Sequence, residues 1–103
     1  MPMTAALDPF DALGDGNRRE IVRLLAGGDQ SVRELADAMP ISRPAVSRHL
    51  RLLKEAGLVA DRPEGTRRLY HLHDRGLEAV RAYLEQVWGE AAMRFKVAAE
   101  NTE

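Results

Sequence analysis

Apolar residues in this chain recur at spacings of three and four over most of its length, and the intervals are punctuated by Gly, Pro and capping residues. Asp8-Pro9 reads as a cap followed by a proline at the first helical position, opening a short helix through Phe10 and Leu13. Gly14-Asp15-Gly16 interrupts it. Asn17 with Glu20 resembles a capping box for a second helix carrying Ile21, Val22, Leu24 and Leu25, and Gly27-Gly28 ends that helix. Ser31 and Glu34 form a clearer capping box, and the short helix they open has Val32, Leu35, Ala36 and Met39 as its apolar stripe. Pro40 and Ile41 make a turn. Ser42 then caps a further helix with Pro44 in its first turn, running to Glu55 or Ala56 and stopping at Gly57. Two short helices joined by a tight turn make a helix-turn-helix unit.

After Gly57 the period changes from helical to extended. Leu58–Arg62 reads as one strand and Arg67–Leu72 as its partner, with Pro63-Glu64-Gly65-Thr66 as the turn of a hairpin wing. From about Arg75 to Ala99 the spacing is helical again, predicting one helix of about 37 Å. Its stripe is Leu77, Val80, Leu84, Val87, Trp88, Ala91, Phe95 and Ala98. A body this small cannot cover such a face, whereas a second copy of the helix can, together with Leu7, Phe10 and Leu13. The expected architecture is mainly α with a small β-hairpin, an α+β winged helix-turn-helix. It forms one domain over residues 1–103 and pairs as a homodimer through its first and last helices. The residues from about Glu100 onward are expected to be disordered.

Charge sharpens this picture. The net charge of −1 hides a basic centre between acidic flanks. Residues 1–40 hold four basic against seven acidic residues, and residues 74–103 hold four against six. Residues 41–73 hold seven (Arg43, Arg48, Arg51, Lys54, Arg62, Arg67, Arg68) against three (Glu55, Asp61, Glu64). A localised basic surface of this kind suits phosphate.

Placing the helix after Ser42 on a 100° wheel puts Val46, Leu50 and Leu53 on one narrow face, with His49 at its edge as a packing and hydrogen-bonding residue. Arg48 and Arg51 lie nearly opposite, flanked by Pro44, Ala45, Ser47 and Leu52, with Arg43 and Lys54 at the two ends. Small residues allow close approach to a major groove, and an arginine fork can meet guanine O6 and N7. Arg43, Ser47, Arg48 and Arg51 are the candidates for base reading, with Lys54 nearer phosphate. Arg62, Arg67 and Arg68 flank the Gly65-Thr66 tip, which can reach phosphate or the minor groove. The amides opening the Ser31 helix, with the Gln30 and Ser31 side chains, can anchor one further phosphate.

The order of these motifs resembles the ArsR family of bacterial winged-helix repressors. The resemblance runs through Ala12-Leu13-Gly14-Asp15-Gly16-Asn17-Arg18-Arg19 to Ile21, Glu34-Leu35-Ala36, Ser42-Arg43-Pro44-Ala45-Val46-Ser47-Arg48-His49-Leu50, Leu53-Lys54-Glu55-Ala56-Gly57-Leu58-Val59 and Gly65-Thr66-Arg67-Arg68-Leu69-Tyr70. It implies a homodimer built from the first and last helices, a helix reading each half of an imperfect palindrome in double-stranded DNA, and the gene's own promoter as a common target. Members that sense arsenic, cadmium or lead use cysteines around the helix that opens here at Ser31. This chain has Ser31 and Arg33 there and no cysteine anywhere, so a thiolate site is excluded. Members that bind zinc on the last helix use His with carboxylates, whereas that helix here has Glu78, Glu85 and Glu90 but no histidine.

Other chemistry finds little support. His71 and His73 share one strand face and could bring two imidazoles to one ion, a two-ligand signal weaker than that of two exposed histidines. No cysteine nucleophile, phosphate-cradling glycine loop or convergent Ser/His/Asp set points to an enzyme, and no cofactor is expected. Asp8, Asp11 and Asp15 sit near helix starts, where acidic residues ordinarily complement the dipole. The opening Met1-Pro2-Met3-Thr4 lacks the basic and apolar regions of an export signal, and no apolar run spans a membrane. With no cysteine, these features fit a cytoplasmic protein. The reading is therefore repression by occupancy of a palindromic operator. Control comes from a small organic effector in the dimer interface or from protein level alone. The competing readings are a winged-helix protein-interaction module without DNA binding and a His-based metal sensor.

Overall fold

A computed structural model describes residues 8–100. Leu7, assigned to the dimer face, and the residues after Glu100 lie outside the described part. The elements run α1 (Pro9–Ala12), α2 (Gly16–Ala26), α3 (Val32–Asp37), α4 (Arg43–Glu55), β1 (Val59–Glu64), β2 (Arg67–Leu72) and α5 (Asp74–Glu100). This is a mainly helical winged helix-turn-helix with one antiparallel hairpin.

Local chemistry sets the helix starts. Asp8 accepts the Phe10 amide at 2.7 Å and Pro9 occupies the first helical position. The reciprocal Ser31–Glu34 box is formed, at 2.8 Å and 3.2 Å. Ser42 accepts the Ala45 amide at 3.2 Å. The start of α2 differs from expectation. Its cap is Asp15, which accepts the Asn17 and Arg18 amides at 2.8 Å and 3.1 Å, so the helix begins at Gly16. Asp15 offers a carboxylate to two orphan amides, and this holds the cap two residues before Asn17. Those bonds, the Arg18 amide foremost, keep the Asp15 carboxyl below its usual value.

The wing also differs at its tip. Pro63 and Glu64 belong to β1 and pair with Arg68 and Arg67, leaving Gly65-Thr66 as a two-residue turn. Gly65 has φ 66° and Thr66 does not have positive φ, the pattern of a turn with glycine at its first central position. Pro63 is tolerated because the hairpin has only two strands, so one side of β1 needs no ladder donor. At the wing's base, Gln30 bridges Tyr70 through backbone bonds of 2.8 Å and 3.1 Å, tying the α2–α3 loop to β2.

The core lies where α2, α3, α4 and the root of β1 meet, with Ile21, Leu25, Leu35, Val46, Leu50, Leu53, Leu58 and Val59 buried. The first turns of α5 pack on it through Leu77. Helix α5 then leaves the body: from Arg81 onward every residue whose side chain is described is exposed. Of the expected dimer face, Leu13, Leu77 and Val80 are half-buried, while Phe10, Leu84, Val87, Trp88, Ala91 and Phe95 are exposed. Trp88 and Phe95 are the extremes, at 64% and 78%. Tyr83, absent from the expected stripe, meets Phe10 edge-to-face with ring centroids 4.9 Å apart, joining α1 to α5.

Helix α5 is aimed by a backbone crossing. The Gly76 amide donates to the Gly57 carbonyl at 2.7 Å. A Cβ on Gly76 would stand 2.8 Å from the Ala56 and Gly57 carbonyl oxygens, closer than atoms pack. Gly76→Ala should therefore cost about 2 kcal/mol and lower Tm by roughly 10 °C in a circular-dichroism melt. An unchanged Tm would show that the crossing is not tight.

Candidate nucleic-acid interface

Helix α4 can rotate only one face to the core, and Val46, Leu50 and Leu53 choose it. His49 belongs to that face more fully than its edge position suggested, being only 8% exposed. Its Nδ1 lies 3.3 Å from the Arg18 guanidinium, which also donates to the Ala12 carbonyl at 2.7 Å. Arg18 thus links α1, α2 and α4. With that side fixed, Arg43, Pro44, Ser47, Arg48 and Arg51 are exposed and Ala45 is half-buried. Arg43, Arg48 and Arg51 form no ion pair among the described residues.

The other expected contacts are placed differently. The Lys54 ammonium lies 2.8 Å from Asp61, whose carboxylate is 5% exposed and also bonds Arg68. Asp61 therefore pins the end of α4 to both wing strands. The two cations, Lys54 first and then Arg68, hold its carboxyl below the ordinary value. Arg62 pairs with Asp29 at 2.6 Å, and Arg67 approaches Glu34 at 3.8 Å and Glu64 at 4.0 Å. Gly65 and Thr66 are exposed at the tip. The Gln30 side chain donates one N–H to the Leu24 carbonyl at 3.1 Å. Ser31 is buried as the α3 cap, and its amide is taken by Glu34.

Between α3 and the wing lies a cleft of about 540 Å³ whose basic walls are Arg33, Arg43, Arg67 and Arg68. Arg33 was not singled out from the sequence. Only its exposed position as the second residue of α3, beside the wing, brings it to this set. The carboxylates that partner the wing were missed as well, because Asp29 and Arg62 stand 33 positions apart.

His71 and His73 do not assemble a ligand set. His73 Nδ1 accepts the Arg75 amide at 3.1 Å, and His71 Nδ1 is buried without a hydrogen-bond partner. Among the described residues no three His, Cys, Asp or Glu side chains converge, and no helix is long and apolar enough to cross a membrane.

Residues 15–61 match the family described as bacterial regulatory protein, arsR family. The HTH-type transcriptional regulator Rv2034 of Mycobacterium tuberculosis is 55% identical over 82 residues, covering 80% of this chain and 77% of that one. The transcriptional repressor SdpR of Bacillus subtilis is 38% identical over 69 residues, covering 67% and 77%. A solution structure from Mycobacterium bovis, described as the homodimeric winged helix-turn-helix DNA-binding domain of a possible ArsR-family regulator, superposes with a TM-score of 0.62. Its identity is 34%, and the match covers 92% of this chain and 79% of that one.

Burial pushes the His49 imidazole below its ordinary 6.5; Asp15 opposes the shift, and the Arg18 and Arg48 charges add to it. The unfolded chain therefore takes up a proton that the folded chain resists. The stability of neutral His49 is present above 6.5 and lost as pH falls from there through the lowered value. Urea unfolding should show stability falling from about pH 7.5 to about pH 5, with a smaller fall in His49→Gln. Equal pH dependence in both proteins would contradict this assignment.

Proposed function

Because this chain belongs to the arsR family of bacterial regulatory proteins, which are helix-turn-helix transcriptional regulators, we propose that it acts as a homodimeric repressor. It occupies an inverted-repeat operator in double-stranded DNA. The observation that carries this reading is the face of α4. Three arginines that form no ion pair among the described residues stand on the outward side of a helix whose inward side is locked in the core. A major groove receives such a helix, with Arg43, Ser47, Arg48 and Arg51 toward base edges and Pro44 and Ala45 allowing close approach. Ser42 caps the helix at the groove's edge. The wing, with Arg62, Arg67, Arg68 and the Gly65-Thr66 tip, follows the flanking phosphates. Lys54 and Arg68 also serve the fold, through Asp61.

Two copies joined along α1 and α5 present two α4 helices about 34 Å apart, one duplex turn. The exposed apolar side chains of α5 support that pairing, since each large one covered by a partner contributes roughly 1.5–3 kcal/mol. The Mycobacterium bovis relative is described as homodimeric. A signal that changes the angle between the two halves would release DNA, because only the paired spacing fits both half-sites. Such a signal is either a small organic molecule in the dimer interface or none at all, with control by protein level alone.

Arg48→Ala with Arg51→Ala should weaken binding to a duplex selected from a random library by about 100-fold or more, without changing the dimer. Retained affinity would move the reading surface elsewhere. Trp88→Gln with Phe95→Gln should yield monomers in light scattering and lose operator affinity; a persistent dimer would place the interface away from α5.

A further inference from the structure

Basic residues on the proposed DNA face fall into two electrostatic classes. Among the described residues, the α4 arginines 43, 48 and 51 stand without carboxylate partners, whereas every wing arginine has at least one. Arg62 meets Asp29 at 2.6 Å and Arg67 meets Glu34 at 3.8 Å, each with Glu64 of its own hairpin as a looser neighbour at 3.8 Å and 4.0 Å, and Arg68 meets Asp61. These partners lie on different elements. Asp29 is in the α2–α3 loop, Glu34 on α3 and Asp61 on β1. The loop and the wing are held together by the Gln30–Tyr70 bridge, which keeps Asp29 within reach of Arg62.

We propose that Asp29 and Glu34 are specificity-determining residues. They are intramolecular stand-ins for phosphate that keep Arg62 and Arg67 neutralised until α4 is seated in a matching groove. This inference rests on the DNA-binding reading of the same surface. A carboxylate and a phosphodiester each offer the guanidinium two anionic acceptor oxygens, so one can replace the other as its hydrogen-bond partner. Exposed pairs of this kind are weak enough to open when phosphate arrives in register. Away from the cognate site, where α4 does not sink into the groove, the wing meets no phosphate in register and its pairs stay closed. Those arginines then release no counterions, and non-cognate DNA is held by α4 alone. Asp61 differs from the other two: it is nearly buried and bonds two cations, so it fastens the wing rather than gating it.

The test uses the full chain and a 24-base-pair duplex of arbitrary sequence, with binding followed by fluorescence anisotropy across a salt series. Asp29→Asn should tighten binding about two- to fivefold at low salt. The slope of log affinity against log salt should steepen by about 0.9, one phosphate's worth. Glu34→Gln, which retains the reach of the capping side chain, should act in the same direction through Arg67. The gain should largely vanish when Asp29→Asn is made in an Arg62→Ala background, because no arginine remains to be freed. An equal gain in both backgrounds would reduce Asp29 to simple charge repulsion and overturn the proposal, as would no gain at all. The parent reading fails separately: it falls if the unaltered chain does not bind duplex, or if Arg48→Ala with Arg51→Ala leaves binding unchanged.

Discussion

A helix of 13 residues has one face to give to a core, and in α4 that face is occupied by Val46, His49, Leu50 and Leu53. Burying the three aliphatic side chains removes each from water at a gain of roughly 1.5–3 kcal/mol, which no rotation of the helix could preserve. Arg48 and Arg51 are thereby held outward, whatever their own preferences. The remaining scaffold serves to keep that rotation. The Arg18 guanidinium grips His49 from the α2 side, and Asp61 pins Lys54 at the far end. Gly57, where α4 ends, receives the α5 backbone. The outward arginine face of α4 is thus a consequence of the core behind it.

The same scaffold explains how one small chain can hold two kinds of cation. The arginines of α4 project from a convex rod and form no ion pair among the described residues, while Lys54 at its far end is taken by Asp61. Those on the wing lie beside the α2–α3 loop and α3, whose acidic residues are close by. Neutralising the wing lowers the positive field of the free protein, which agrees with a basic centre in a chain of net charge −1. On the proposed function, attraction toward a duplex is then concentrated on α4.

Much of this was legible in the chain because its signals are local. The Ser31–Glu34 box, the Ser42 cap with Pro44, the stop at Gly57 and the strand Arg67–Leu72 each depend on residues a few positions apart. The apolar stripe of α5 is likewise a short-range pattern, and its exposure follows from length alone. What escaped depends on distance. Asn17 and Asp15 both suit a cap, and only the folded backbone shows that the Asp15 carboxylate takes the two amides. The Gln30–Tyr70 bridge, the Gly57–Gly76 crossing and the Arg62–Asp29 pair join residues that no periodicity relates. Gln30 illustrates the consequence. By composition it suits a phosphate contact, and in the fold its amide also closes the loop on Leu24.

The central claim is geometric: two α4 helices, held by paired α5 helices, meet one side of a duplex a single turn apart. Hydroxyl-radical footprinting on a duplex selected by the protein from random sequence measures this directly. The account predicts two protected patches on the same face of the DNA, centred about 10 base pairs apart and related by inverted sequence. A single patch, or patches on opposite faces, would contradict it.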